Sequence, residues 1–366
     1  MGPRQSGKTT LCRSVFAEKP YLNLEAHDTR EEAVSDPRGL LRRFPEGVIL
    51  DEVQNAPGLL GYLQVEVDER PQPGRFVITG SQHLGLSRKV TQSLAGRVGV
   101  LTLLPFSLGE VRRFPGKGRE VWETVWCGGY PPILDRGIPP DRWLGDYVST
   151  YLQRDVRELL NVGDLNAFNT FLRLCAGRTA QVLNLSNLGA DAGVTQPTAR
   201  AWLSVLEASF LITLLPAWHP KLTRQAVKAP KLHFLDSGLA CHLLGIRSAD
   251  QLMLHPLRGA IFESWVVAEL MKALERSGRP PDLYHFRDAK GLEVDLLVDL
   301  GDRVLLVESK SGATVGSDLL APLGRLARRM RDAGEHRPIE LRLVYGGDDA
   351  RRWSDVEIIP WGALKR

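Results

Sequence analysis

Three short runs that end in polar residues dominate the first third of the chain, the second and third of them aliphatic. Tyr21-Leu22-Asn23-Leu24-Glu25, Val48-Ile49-Leu50 before Asp51-Glu52, and Phe76-Val77-Ile78 before Thr79-Gly80-Ser81-Gln82 predict short strands. Unbroken aliphatics, without polar alternation, mark parallel strands buried on both faces. The carboxyl ends of such strands carry the ligands of open α/β sheets. The middle of the chain changes period. Trp122 to Trp126, Asp141 to Leu160, Phe168 to Cys175, Leu185 to Val194 and Thr195 to Glu207 place apolar residues at helical spacing. Thr195 as N-cap and Pro197 in the first turn mark one helix start. Phe210 to Leu215 then reads as a strand, and Lys231 to Ala240 as a strand entering a helix. From Gly259 the pattern changes again. An amphipathic helix covers Phe262 to Leu270, followed by strands at Leu283–Arg287, Glu293–Val298, Val304–Lys310, Leu341–Tyr345 and Val356–Pro360, with a basic helix over Leu319–Arg331. The chain therefore reads as α/β in three parts, 1–140, 141–258 and 259–366.

The first ten residues carry the sharpest chemistry. Gly2-Pro3-Arg4-Gln5-Ser6-Gly7-Lys8-Thr9 fits G-x-x-x-x-G-K-[ST], the phosphate-binding loop of nucleoside triphosphatases. Its glycines let backbone N–H groups converge on phosphate oxygens. Lys8 reaches the β- and γ-phosphates, and the Thr9 hydroxyl ligates Mg²⁺. Thr10 opens a helix whose N-terminal dipole faces the anion. At the end of the second aliphatic run, Asp51 is placed to hold Mg²⁺ through water and Glu52 to act as general base toward the attacking water. At the end of the third, Ser81 is the first candidate for sensing the γ-phosphate and Thr79 the second.

Composition limits the alternatives. The 366 residues suffice for two or three domains, with 43% hydrophobic and 25% charged residues, as in a soluble globular protein. A net charge of +4 permits nucleic-acid binding without establishing it. Cys12, Cys127, Cys175 and Cys241 lie far apart, which argues against a zinc or disulfide framework and fits a reducing cytoplasm. The most apolar run, Phe210 to Trp218, is too short to span a bilayer, so no membrane association is expected.

Phosphate loop, hydrophobic-Asp-Glu strand and polar-ended strand, in that order, resemble the AAA-type ATPases. Ile78-Thr79-Gly80-Ser81, Ser93-Leu94-Ala95-Gly96-Arg97 and Leu104-Pro105-Phe106-Ser107-Leu108-Gly109-Glu110 narrow the resemblance. They are similar to the prokaryotic AAA ATPases that carry an uncharacterised C-terminal region with a nuclease-like fold. The resemblance extends over nearly the whole chain, including Gly128-Gly129-Tyr130-Pro131-Pro132 and Tyr151 to Val156. It implies ATP and Mg²⁺ as ligands, a homo-oligomer, and Arg97 as an arginine finger or subunit contact. It also implies a helix and a first sheet strand ahead of the phosphate loop, a stretch this sequence does not contain, so a weakly held loop is expected.

The middle part has the order of a winged helix-turn-helix. On that reading Gln196, Thr198 and Arg200 face a DNA groove, and Lys221, Arg224 and Lys228 lie against phosphates. In the last part, residues two apart on a strand share a face. Glu308 and Lys310 therefore project together, and so do Glu293 and Asp295. A hairpin brings Asp295 beside Glu308. Gathered with Glu263, these carboxylates make a hard-oxygen site suited to Mg²⁺ or Mn²⁺, with Lys310 activating water or stabilising phosphate charge. Asp295 with Glu308-Ser309-Lys310 resembles the core of the PD-(D/E)xK nuclease superfamily. Arg325, Arg328, Arg329 and Arg331 offer a further nucleic-acid backbone contact. The expected function is an ATPase coupled to a nucleic-acid-binding, metal-dependent nuclease-like domain. The rival is a nucleotide-switched DNA-binding or scaffolding protein with an inactive nuclease fold.

Overall fold

A computed structural model describes residues 1–80, 94–118, 120–152, 164–218, 228–279 and 282–364. The chain divides into two compact units, Met1–Leu104 with Ala208–Phe210, and Pro105–Glu207 with Leu211–Arg366.

The first unit is a parallel sheet with helices. Its elements are α1 (Lys8–Val15), β1 (Tyr21–Asn23), α2 (His27–Ser35), α3 (Pro37–Arg42), β2 (Ile49–Asp51), α4 (Leu59–Glu69) and β3 (Val77–Ile78). The strand order is β1-β2-β3, with Tyr21 paired to Ile49 and Ile49 to Val77. Central β2 is buried along its whole length, as its unbroken aliphatics require. Leu24, Leu40, Leu41, Leu50, Val53 and Leu60 pack into one core with it. Asp36 starts α3 by accepting the Gly39 N–H at 2.9 Å, with Pro37 in the first turn. Beside the phosphate loop, the Leu103 N–H donates to the Met1 carbonyl (2.8 Å) and the Met1 ammonium donates to the Leu101 carbonyl (2.5 Å).

The second unit opens with four short helices, α5 (Leu108–Val111), α6 (Val121–Cys127), α7 (Pro131–Asp135) and α8 (Pro140–Tyr147). The long helix expected over Asp141 to Leu160 is interrupted. After Tyr147 the chain widens into a π-helical turn at Val148–Leu152. Arg154 and Asp155 lie outside the described residues. Next come α9 (Leu165–Gly177), β4 (Gln181–Val182), α10 (Leu185–Asp191), α11 (Gln196–Ala208), β5 (Ile212–Leu215) and β6 (Lys231–Phe234). The three strands form an antiparallel sheet in the order β4-β6-β5. Its apolar side packs on Phe168, Phe171, Trp202 and Leu206.

Helices α12 (Ser237–Leu243), α13 (Ala249–Leu254) and α14 (Arg258–Arg276) lead to β7 (Leu283–Arg287), β8 (Glu293–Asp299) and β9 (Val304–Lys310). Then follow α15 (Ala321–Asp332), β10 (Ile339–Tyr345), β11 (Arg351–Trp353) and β12 (Val356–Pro360). Six strands form a mixed sheet in the order β11-β12-β10-β9-β8-β7. The pairs from β7 to β9 are antiparallel, and β9-β10 and β10-β12 are parallel. Helix α14 packs on this sheet through Ile261, Phe262, Trp265 and Val266. Its buried Glu269 accepts the Leu108 N–H at 2.8 Å, and its Lys272 donates to the Phe106 carbonyl at 3.0 Å. Buried Asp236 caps α12 through the Leu239 N–H and also accepts the Gly129 N–H, each at 2.8 Å.

Candidate functional site

Residues of α1 and the ends of β1, β2 and β3 meet at the phosphate loop. Gly2, Gln5 and Gly7 have positive φ (148°, 62° and 93°), which turns the loop around its own N–H groups. A Cβ on Gly2 would lie 2.1 Å from the Leu103 carbonyl oxygen, so glycine is required there. Lys8 is buried and donates to the carbonyls of Gly2 (3.1 Å) and Pro3 (2.7 Å). Burial lowers its pKa to about 8, against the opposing pull of Glu52 and Asp51. Arg4 lies 3.8 Å from Glu25, and Thr10 follows Thr9 in the first turn of α1.

Asp51 is the hub. Its Oδ2 accepts from the Thr9 hydroxyl (2.8 Å) and the Tyr21 hydroxyl (2.6 Å), and its Oδ1 accepts from the Thr79 hydroxyl. The Glu52 N–H donates to Thr79 Oγ1 at 3.3 Å, and the Gln54 amide donates to the Glu52 carboxylate. Glu52 sits at φ 55°, a conformation that turns the chain at the end of β2. Sequence reasoning missed Tyr21, whose pKa is raised by burial and by its bond to Asp51. The signal was a hydroxyl at the head of a strand beside β2. Ser81 lies outside the described residues. Arg97 forms a two-pronged pair with exposed Asp68, at 2.5 and 3.0 Å.

The donor set suits a magnesium nucleotide. One hydroxyl and one carboxylate, Thr9 and Asp51, stand together as hard oxygen ligands. Ser6 Oγ is buried without a hydrogen-bond partner, as a loop built around an anion would leave it.

The second unit gathers the expected carboxylates around a lysine. Lys231 of β6 reaches Glu263 of α14 at 3.0 Å, and Glu293 and Asp295 of β8 at 2.7 and 3.5 Å. Its side chain is 2% exposed. Lys231 and His233 share the face of β6 toward α14, where His233 Nδ1 lies 3.0 Å from Ser264 Oγ. Leu232 and Phe234 face the other way into the core. Burial alone would pull the Lys231 ammonium down, but Glu263, Asp295 and Glu293 outweigh it and hold it above the ordinary lysine range. Burial, with the charge of Asp295, raises Glu263 well above the carboxylate range. Burial, with Asp295 and Glu263, likewise raises Glu308.

The β8–β9 ladder stops at the Leu296–Val307 pair. Beyond it, Asp295 Oδ2 accepts both the Ser309 N–H (2.9 Å) and the Ser309 hydroxyl (2.8 Å). Lys310, expected to join the carboxylates, is exposed and pairs with no described carboxylate. Among the described residues, no three carboxylate, imidazole or thiol groups are arranged to hold one metal ion. His285 is buried and its Nε2 lies 3.0 Å from the Ala229 carbonyl, a structural contact.

Two surfaces carry the expected basic residues. Arg328, Arg331, Arg342, Arg351 and Arg352 line a groove of about 1190 Å³ with Glu340, Asp355 and Glu357. Arg329 instead pairs with Asp288 at 2.5 Å. On α11, Gln196 and Arg200 are exposed and Thr198 is half-buried. Lys228 is exposed, while Lys221 and Arg224 lie outside the described residues. No described helix is long and apolar enough to cross a membrane.

Comparison with known proteins matches residues 1–112 to an AAA domain, 118–250 to a domain of unknown function (DUF8612) and 258–364 to a domain of unknown function (DUF4143). Uncharacterized proteins of Mycobacterium tuberculosis and Mycobacterium bovis are each 29% identical over 362 residues, covering 98% of this chain and 78% of each relative. An AAA domain followed by DUF4143 supports a prokaryotic AAA-type ATPase family, with a P-loop fold in the first unit and nucleotide, usually with Mg²⁺, as its ligand.

Proposed function

We propose that the first unit binds ATP with Mg²⁺ and hydrolyses it, and that the nucleotide state switches how the second unit engages nucleic acid. The observation that carries the first half is the meeting of Lys8, Thr9, Asp51, Glu52 and Thr79 at one loop. The backbone of Gly2, Pro3, Arg4, Gln5, Ser6 and Gly7 cradles the phosphates, and Thr10 N–H extends the cradle into α1. Lys8 leaves the Gly2 and Pro3 carbonyls for the β- and γ-phosphates. Thr9 and Asp51 hold Mg²⁺, which supplies positive charge to the phosphate oxygens. Glu52 accepts the proton of the attacking water, and Ser81, with Thr79 as the second candidate, senses the γ-phosphate. Arg97 acts across a subunit boundary in a homo-oligomer, exchanging Asp68 for phosphate.

For the second unit, helix–strand–helix–helix–strand–strand order from α9 to β6 supports a winged helix, and the six-stranded sheet under α14 supports a nuclease-like fold. Within it we assign 141–258 to the winged-helix region and 259–366 to the nuclease-like domain. Five arginines against three carboxylates in the groove favour a polyanion. Cleavage is not part of this proposal, because Lys231 fills the centre of the carboxylate cluster and Lys310 lies outside it.

Phosphate release from ATP, with and without DNA, tests the reading. Wild type turns over, Lys8→Ala does not, and DNA changes the wild-type rate. Equal background in both proteins rejects the ATPase. Triple substitution of Arg328, Arg331 and Arg352 by Ala weakens DNA binding and flattens its salt dependence by about three phosphate contacts. Unchanged binding rejects the groove.

A further inference from the structure

We infer that the carboxylate cluster of the second unit is a divalent-cation type of site whose cation is the chain's own Lys231. The inference concerns a site apart from the phosphate loop and does not depend on ATP turnover.

Four carboxylates from three elements, Glu263 of α14, Glu293 and Asp295 of β8 and Glu308 of β9, converge where burial would make their mutual repulsion costly. Protons on Glu263 and Glu308, whose carboxyls are both raised, relieve part of that repulsion, and a positive charge at the centre relieves more. Lys231 supplies it, at 3.0, 2.7 and 3.5 Å from Glu263, Glu293 and Asp295. The lysine is delivered from outside the six-stranded sheet. Strand β6 is pinned on both edges by β4 and β5, and on its α14-facing side His233 Nδ1 lies 3.0 Å from Ser264 Oγ.

The remaining oxygens are committed in a way that matches an ammonium better than a metal. Asp295 spends Oδ2 on the two donors of Ser309 and turns Oδ1 to Lys231. A hydrated Mg²⁺ or Mn²⁺ needs near-octahedral oxygens at about 2 Å, and the ammonium stands where those oxygens would have to meet. The ammonium brings one positive charge where a divalent ion would bring two, and it is no Lewis acid.

The test is titration of the nucleotide-free protein with Mn²⁺, read by calorimetry and by melting temperature. Wild type shows no saturable Mn²⁺ binding that Asp295→Asn removes. Lys231→Ala melts lower than wild type in EDTA, and saturable Mn²⁺ binding, absent from wild type, restores its melting temperature. Lys231→Ala with Asp295→Asn loses that gain. If Lys231→Ala does not fold, Lys231→Met with Glu293→Gln, which removes one charge of each sign, enters the same titration. Wild-type Mn²⁺ binding abolished by Asp295→Asn overturns the inference. So does a foldable Lys231 variant that gains no Mn²⁺ binding, or failure of both variants to fold with Mn²⁺ present.

Discussion

Nucleotide binding should take up a proton at Lys8, and the amount follows from its environment. In the free protein the ammonium is buried against carbonyls, and its pKa lies at about 8. Triphosphate oxygens would replace those carbonyls and favour the charged form, raising the pKa again. A base with a depressed free pKa is protonated below that value and neutral above it. Binding therefore takes up about 0.1 proton at pH 7, about 0.5 at pH 8 and about 0.9 at pH 9. The nucleotide phosphates themselves have lost their last proton by then, since such groups titrate near pH 6. Affinity should fall toward tenfold per unit as pH rises past 8. Calorimetric titration of Mg-ATP in two buffers of different ionisation enthalpy measures the uptake. Lys8→Arg, which keeps its charge throughout, should take up none. Tight binding at pH 9 with no buffer-dependent heat in wild type would refute the reasoning. The same depression makes the free fold less stable below pH 8 and relieves it as pH rises toward 10.5. Lys8→Met should then raise nucleotide-free stability at pH 7 by about 1–3 kcal/mol.

Two further outcomes rest on backbone and burial. Gly2→Ala would force a Cβ to 2.1 Å from the Leu103 carbonyl at a φ of 148°, and should destabilise the first unit by about 1–3 kcal/mol and weaken ATP binding. Gly58→Ala, with open space and φ −64°, should melt like wild type in the same denaturation series. Glu308 has a carboxyl raised by burial and by Asp295 and Glu263, so ionisation costs folding free energy once pH exceeds the unfolded value near 4.5. Glu308→Gln should be neutral below pH 4.5 and stabilising by about 1–3 kcal/mol at pH 7 in urea titrations; destabilisation at pH 7 would contradict the assignment.

The nucleotide site was legible because its residues are contiguous or end aliphatic strands. Gly2 to Thr9 is one peptide, and Asp51, Glu52 and Thr79 sit where β2 and β3 stop. Tyr21 was not, since a tyrosine heading a strand signals packing as readily as a hydroxyl donor. The strands of the last part were legible from their aliphatic runs, and so was the approach of Asp295 to Glu308. Less legible was the positive charge at that cluster, where Lys231 reaches Glu263 and Asp295. Two residues along a strand advance about 6.6 Å, enough to carry Lys310 from the buried cluster into solvent. Lys231 belongs to a distant strand, and its role emerges only when β6 packs on α14. A usable signal existed: Lys231 and His233 alternate with Leu232 and Phe234, and a lysine in a strand buried on both faces must find carboxylates. The interruption after Tyr147 had no such sign, because helical spacing continues through it.

The claim that this chain hydrolyses ATP is tested most directly by Glu52→Gln. The substitution keeps the loop, Lys8, Thr9 and Asp51, and removes only the proton acceptor. Mg-ATP should bind as in wild type and remain intact, with turnover lowered about 10²–10⁴-fold. Wild-type turnover in Glu52→Gln, or ATP binding lost along with it, would contradict the assignment of Glu52 and the site built around it.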